Sequence, residues 1–133
     1  MIAEKTINIC GKQVEMRYCI AAETGYEVLS GQSVEVFNPI VKERDAEGKP
    51  TKFDAPKATT PDYIKLACAA IVAAYERNGQ EAPIKAEEIL YDATPEEITA
   101  IVASVVELRL QWYNIPNVIK PETEEKPDDS KNA

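Results

Sequence analysis

The chain contains no histidine. That absence removes the usual general base from serine and cysteine nucleophile systems, and with it the commonest zinc ligand. Cysteine is scarce. Cys10, Cys19 and Cys68 stand far apart, form no CxxC pair and, being three, build no disulfide framework. Free cysteines of this kind usually act as small hydrophobic filler, and they fit a reducing cytoplasm. Positive charge is also short. Fifteen Lys and Arg face 23 Asp and Glu, for a net charge of -8. Without a basic stripe to release counterions, nucleic acid is not an expected partner, and anionic membrane surfaces are repelled. No apolar run approaches the roughly 20 residues that cross a bilayer. The opening Met1-Ile2-Ala3-Glu4-Lys5 lacks the basic-then-apolar order of a signal peptide.

Glycine-rich phosphate cradles are missing as well: neither GxxxxGK[ST] nor GxGxxG occurs. The paired carboxylates Glu87-Glu88, Glu96-Glu97, Glu124-Glu125 and Asp128-Asp129 are sequence neighbours, so neither member of a pair faces the other on a helix. No catalytic constellation assembles, and no cofactor or metal site is expected. The sequence reads as a binding protein and not as an enzyme.

What is present suits one α+β domain over residues 1–116. Hydrophobic residues make up 44% of the 133, enough for a core without staples. Ile7 and Ile9, then Val14, Met16 and Tyr18, alternate with polar residues on either side of a glycine-containing turn, which predicts a hairpin with one apolar face. Ile20 to Ser30 predicts a short helix stopped by Gly31. Val34 to Phe37 predicts a third short strand ended by Asn38-Pro39. Residues 42–59, rich in Lys, Glu, Asp, Gly and Pro, predict a long loop.

Two longer helices follow. Thr60, Pro61 and Asp62 predict a capped start, with Ile64, Ala67, Cys68, Ile71, Val72 and Tyr75 on one stripe to Asn78. A short helix is expected over 85–92. The run Thr94-Pro95-Glu96-Glu97 is a capping box with proline at the first helical position. Ile98, Ile101, Val102, Val105, Leu108 and Trp112 carry that last helix forward at helical spacing. Four helices in all are expected to pack on the hairpin. Residues 117–133 hold mostly Pro, Glu, Asp, Lys, Ser and Asn, the composition of a disordered acidic tail.

The order of elements carries a resemblance. The segment Lys5 to Tyr18, with its Gly11-Lys12 turn, resembles the opening hairpin of phage tail assembly chaperones. Ala22 to Val34 is similar to their next helix and its Thr/Ser-Gly-Lys-Ser corner, here Ser30-Gly31-Gln32-Ser33 with Gln32 in place of lysine. A helix from Asp62 to Tyr75 and the Thr94-Pro95-Glu96-Glu97-Ile98 start match in order. The likeness spans about residues 4 to 113. The 42–59 segment and the tail depart from it.

The resemblance implies a cytoplasmic protein of an infected or prophage-carrying bacterium. It implies a tape measure protein as partner, with tail tube subunits as a second one. Its role would be to mask apolar surface before the tube polymerises. That reading requires an exposed apolar patch, expected at Tyr18, Tyr26, Leu29, Val34 and Phe37, with Trp112 as a second anchor. A structural head-tail or tail-completion protein, and a general adaptor or immunity-type protein, are the alternatives. An open hairpin edge is equally able to pair with a second copy.

Overall fold

The computed structural model describes residues 2–114. The expected acidic tail lies outside the described residues. Within them the fold is α+β, as the sequence predicts. Strands β1 (Ala3–Ile9) and β2 (Lys12–Tyr18) form the N-terminal hairpin, in antiparallel register with Ile9 opposite Lys12 and Ala3 opposite Tyr18. Its two-residue turn is Cys10-Gly11, with φ 51 and 79. Positive φ at both positions is the type I′ geometry that matches strand twist, and glycine takes the second position without penalty. Ile9, Val14, Met16 and Tyr18 are buried on one face, while Glu4, Thr6, Asn8, Gln13 and Glu15 stay wet on the other.

Helix α1 (Ile20–Ser30) follows directly and ends where Gly31, at φ 73, donates its N–H to the Glu27 carbonyl. Val34–Phe37 is a single 3-10 turn, not a third strand. The Ser33 hydroxyl caps it by accepting the Glu35 N–H, a local bond that outcompetes an extended conformation having no neighbouring strand to pair with.

The 42–59 loop is also corrected. Its residues fall largely into a second antiparallel hairpin, β3 (Ile40–Arg44) and β4 (Pro50–Asp54), with Val41 opposite Phe53. The Asp45 carboxylate makes the turn by accepting the N–H groups of Glu47 and Lys49. Cross-strand pairs Lys42–Asp54 and Lys52–Glu43 flank it. Only Val41 and Phe53 in these two strands are partly buried, so the hairpin stands out from the body as an arm.

Helix α2 (Thr60–Glu76) is the central element, packed on α1, β2, α4 and α3. Its cap is Thr59, one residue earlier than expected, in a full capping box with Asp62. A run of small residues, Ala67, Cys68, Ala69, Ala70, Ala73 and Ala74, is buried, which lets other elements approach on several sides. The closest approach is to α1. A Cβ on Gly25 would lie 3.2 Å from the Ala69 Cβ, so the bare glycine sets the helix spacing. Helix α3 (Ala86–Asp92) anchors through buried Ile89. Helix α4 (Pro95–Tyr113) keeps the predicted Thr94–Glu97 capping box and buries Ile101, Val105 and Leu108. It closes over the hairpin, with Lys5 paired to Glu107 and the Cys10 N–H donated to Glu97. The buried apolar residues other than Ala74 form one cluster, to which β1, β2, α1, α2, α3 and α4 contribute together with Phe37 and Ile84.

Candidate functional site

The residues expected to form an exposed patch separate into core and surface. Tyr18, Tyr26 and Phe37 are buried, which removes them from any docking surface in the folded chain. Each finds internal partners that the sequence does not display. The Tyr18 hydroxyl donates to Glu23 Oε2 at 2.8 Å and accepts from Arg109 Nε at 3.1 Å. The Tyr26 hydroxyl donates to Asp62 at 3.2 Å. Phe37 stacks edge-on against Tyr26 and lies 5.0 Å from the Tyr63 ring. Val34 and Trp112 are half-buried and pack against the core. Of the six, Leu29 alone is strongly exposed, at 51%.

Two polar clusters account for the buried charge. In the first, Glu23 and Arg109 sit in the core with Oε2 and Nε 3.8 Å apart. Tyr113 donates to the same Glu23 oxygen at 2.6 Å. The Arg109 guanidinium lies over the Tyr113 ring, 4.9 Å from its centre. Burial, followed by the hydrogen bond to Glu23, drives the Tyr18 phenol far above its ordinary value, so it stays protonated as a donor. In the second cluster Asp62 accepts from Thr59 N–H, Thr59 Oγ1, Tyr26 and Gln32. Burial opposes its ionisation, but these hydrogen bonds outweigh burial and hold the carboxyl below its usual range. Both clusters are closed on themselves: each carboxylate is consumed by donors of the fold.

Neither Cys10 nor Cys68 is set up as a thiolate. Burial pushes the Cys68 thiol up to about 12. Partial burial, then Glu97, Asp92 and Glu88, raise Cys10 also, opposite to what activates a thiolate. No group of three or more metal-ligating side chains occurs among the described residues. No described helix is long and apolar enough to cross a membrane.

An open groove of about 670 Å³ lies between α1, α2 and the segment 81–86. Ala21, Thr24 and Val28 of α1 form one wall, and Ala69, Val72 and Ala73 of α2 form the floor. Ile84 and Ala82 close the far side, with Glu76, Glu81 and Lys85 as the charged members of the lining. Val28 is 80% exposed and Val72 38%, both beside Leu29. The groove exists because its floor is alanine where larger side chains would fill it, and because Gly25 draws α1 down onto that floor. Val28 lies outside the sequence-derived set. Its signal was present in α1, whose apolar residues do not share one face: Ala22 and Tyr26 point inward while Ile20, Val28 and Leu29 point out.

Comparison with protein-family models, with curated proteins and with solved structures yields no match.

Proposed function

We propose that this protein is a binding chaperone that covers an apolar segment of another polypeptide, and that its client is a phage or prophage tape measure protein awaiting tube assembly in the bacterial cytoplasm. The supporting observation is the open apolar groove at Val28, Leu29 and Val72. Exposed apolar side chains gathered along one groove are a candidate interaction site. The net charge of -8 favours a client with basic surface and keeps the complex dispersed. The succession of hairpin, short helix and capped later helices agrees with the chaperone-like order. Tail tube subunits are a second client in this reading.

The test is co-expression with a tape measure protein. The expected result is a soluble complex that co-elutes on size exclusion, with the client precipitating when expressed alone. A client whose solubility does not change, with no complex eluting, overturns the reading. Mass spectrometry of purified particles separates it from a structural head-tail or tail-completion role, since a chaperone leaves the assembled tail.

A further inference from the structure

The groove carries information about what fits it. Its α1 wall runs from Ala21 to Leu29, eight residue steps, or about 12 Å at 1.5 Å per residue. That matches two turns of a partner helix presenting apolar residues at i, i+4 and i+7. An extended strand suits it poorly. Walls and floor are mainly helix faces, whose backbone donors and acceptors are used internally, so a strand's own polar backbone would be desolvated without partners.

The groove is also electrically uneven along its length. Gln32, just past the end of α1, donates to Asp62 in the first turn of α2, and Gly25 packs on Ala69 further along. The two helices therefore run antiparallel, and the start of α1 lies at the end of α2. Glu76 occupies the last turn of α2, which holds no basic residue. Arg77 follows at the C-cap, on the negative end of the helix dipole, and Glu81 lies a few residues on. Among the described residues neither Glu76 nor Glu81 makes an ion pair. Lys85 is the single cation of the lining.

We propose that the groove receives the apolar face of an amphipathic helix from a partner protein, with a lysine or arginine of that helix set against Glu76 and Glu81. This deepens the chaperone reading and rests on it only for the partner's identity. A second copy of this chain is disfavoured as occupant. Two-fold pairing through the groove would set one concave face against another and leave the alanine floor of each unfilled.

The experiment uses the full chain and a fluorescein-labelled 18-residue helix of Leu, Ala and Gln in three forms: lysines flanking the apolar stripe, glutamates flanking it, and the lysine form with its sequence scrambled. Fluorescence anisotropy should show the lysine form binding, and the other two at least about tenfold more weakly. Val28→Asp should weaken the lysine form by at least about tenfold, because a carboxylate would enter the groove wall. Leu90→Asp, on exposed α3, should leave binding unchanged. The pair Glu76→Gln and Glu81→Gln should weaken binding about threefold or more, with a shallower dependence on salt. Equal binding of the glutamate form, or equal loss in the Val28 and Leu90 variants, overturns the proposal. So does concentration-dependent dimerisation that Val28→Asp abolishes. If wild type and Val28→Asp both rescue the tape measure protein, the groove inference fails and the chaperone reading survives. If the peptide binds but no client is rescued, the reverse holds.

Discussion

The Tyr113 hydroxyl donates to Glu23 Oε2 at 2.6 Å, a contact between residues 90 positions apart. It ties the last turn of α4 to the opening turns of α1, and it shares its acceptor oxygen with Tyr18 of β2. Three elements thus meet on one carboxylate, with Arg109 alongside to balance its charge.

Arg109→Met is therefore expected to destabilise the fold by about 3–5 kcal/mol, since it leaves Glu23 buried without its counter-charge. Tyr18→Phe is expected to cost about 1.5–3 kcal/mol through the lost charged hydrogen bond. Adding Glu23→Gln to Arg109→Met should recover part of the loss. Urea unfolding of the single and double variants checks this, and strict additivity of the two changes would show that the residues are not coupled.

Asp62 gives the fold a pH dependence. Its folded carboxyl titrates below the unfolded value, so its stabilisation is fully present above the unfolded value near pH 4 and is lost as pH falls through the lower folded value. Glu88 and Glu97 shift in the same direction, held by the Lys85 and Thr94 backbone N–H groups, and add to the same acid limb. Asp62→Asn should lower stability at pH 7 by about 2 kcal/mol and flatten the fall below pH 4. Thermal melts from pH 2 to 7 measure both, and an unchanged acid limb would rule Asp62 out as its source.

Gly25→Ala sets two effects against each other. Alanine favours the helix by about 1 kcal/mol, yet its Cβ would stand 3.2 Å from that of Ala69. The expected net change is close to zero. Gly25→Leu has no such compensation and should cost about 1–3 kcal/mol by forcing α1 off α2. Combining Gly25→Ala with Ala69→Gly should relieve the contact, and chemical denaturation of the set distinguishes crowding from propensity.

The three thiols should differ in reactivity. Cys10 and Cys19 are partly exposed, whereas Cys68 is buried with its thiol pushed up to about 12. In native protein at pH 8, a thiol reagent should modify Cys68 last, because it lies deep in the groove lining and its thiol is pushed up. Peptide mapping after timed labelling reads the order. Early modification of Cys68 would mean that α1 and the 81–86 segment expose it far more than the groove geometry allows.

Much of this architecture is written in local signals. The Thr94-Pro95-Glu96-Glu97 box fixes the start of α4, and period-2 alternation fixes the first hairpin, though its turn falls at Cys10-Gly11, one residue before the expected Gly11-Lys12. The second hairpin escapes such a reading because Val41 and Phe53 are its only cross-strand apolar pair. Its turn is held instead by the Asp45 side chain, backbone hydrogen bonds and Gly48 at φ 85. Val34 and Val36 alternate as a strand would, but Ser33 bends them into a 3-10 turn. The candidate site was the least legible part. Tyr18 and Tyr26 are amphipathic and suit a surface equally well. Their burial depends on Glu23 and Asp62, brought to them by tertiary packing that no short window contains.

The clamp at both ends of α4 bears on how this polypeptide matures on a ribosome. The Cys10 amide waits for Glu97, 87 positions later, and Tyr18 waits for Arg109, 91 positions later. Because synthesis proceeds from the N-terminus, the hairpin emerges before α4, and its oily face, which α2 covers only in part, stays incompletely buried until α4 has been translated. Closing such distant contacts is entropically slow. While it is being made, the nascent chain is itself in need of shelter.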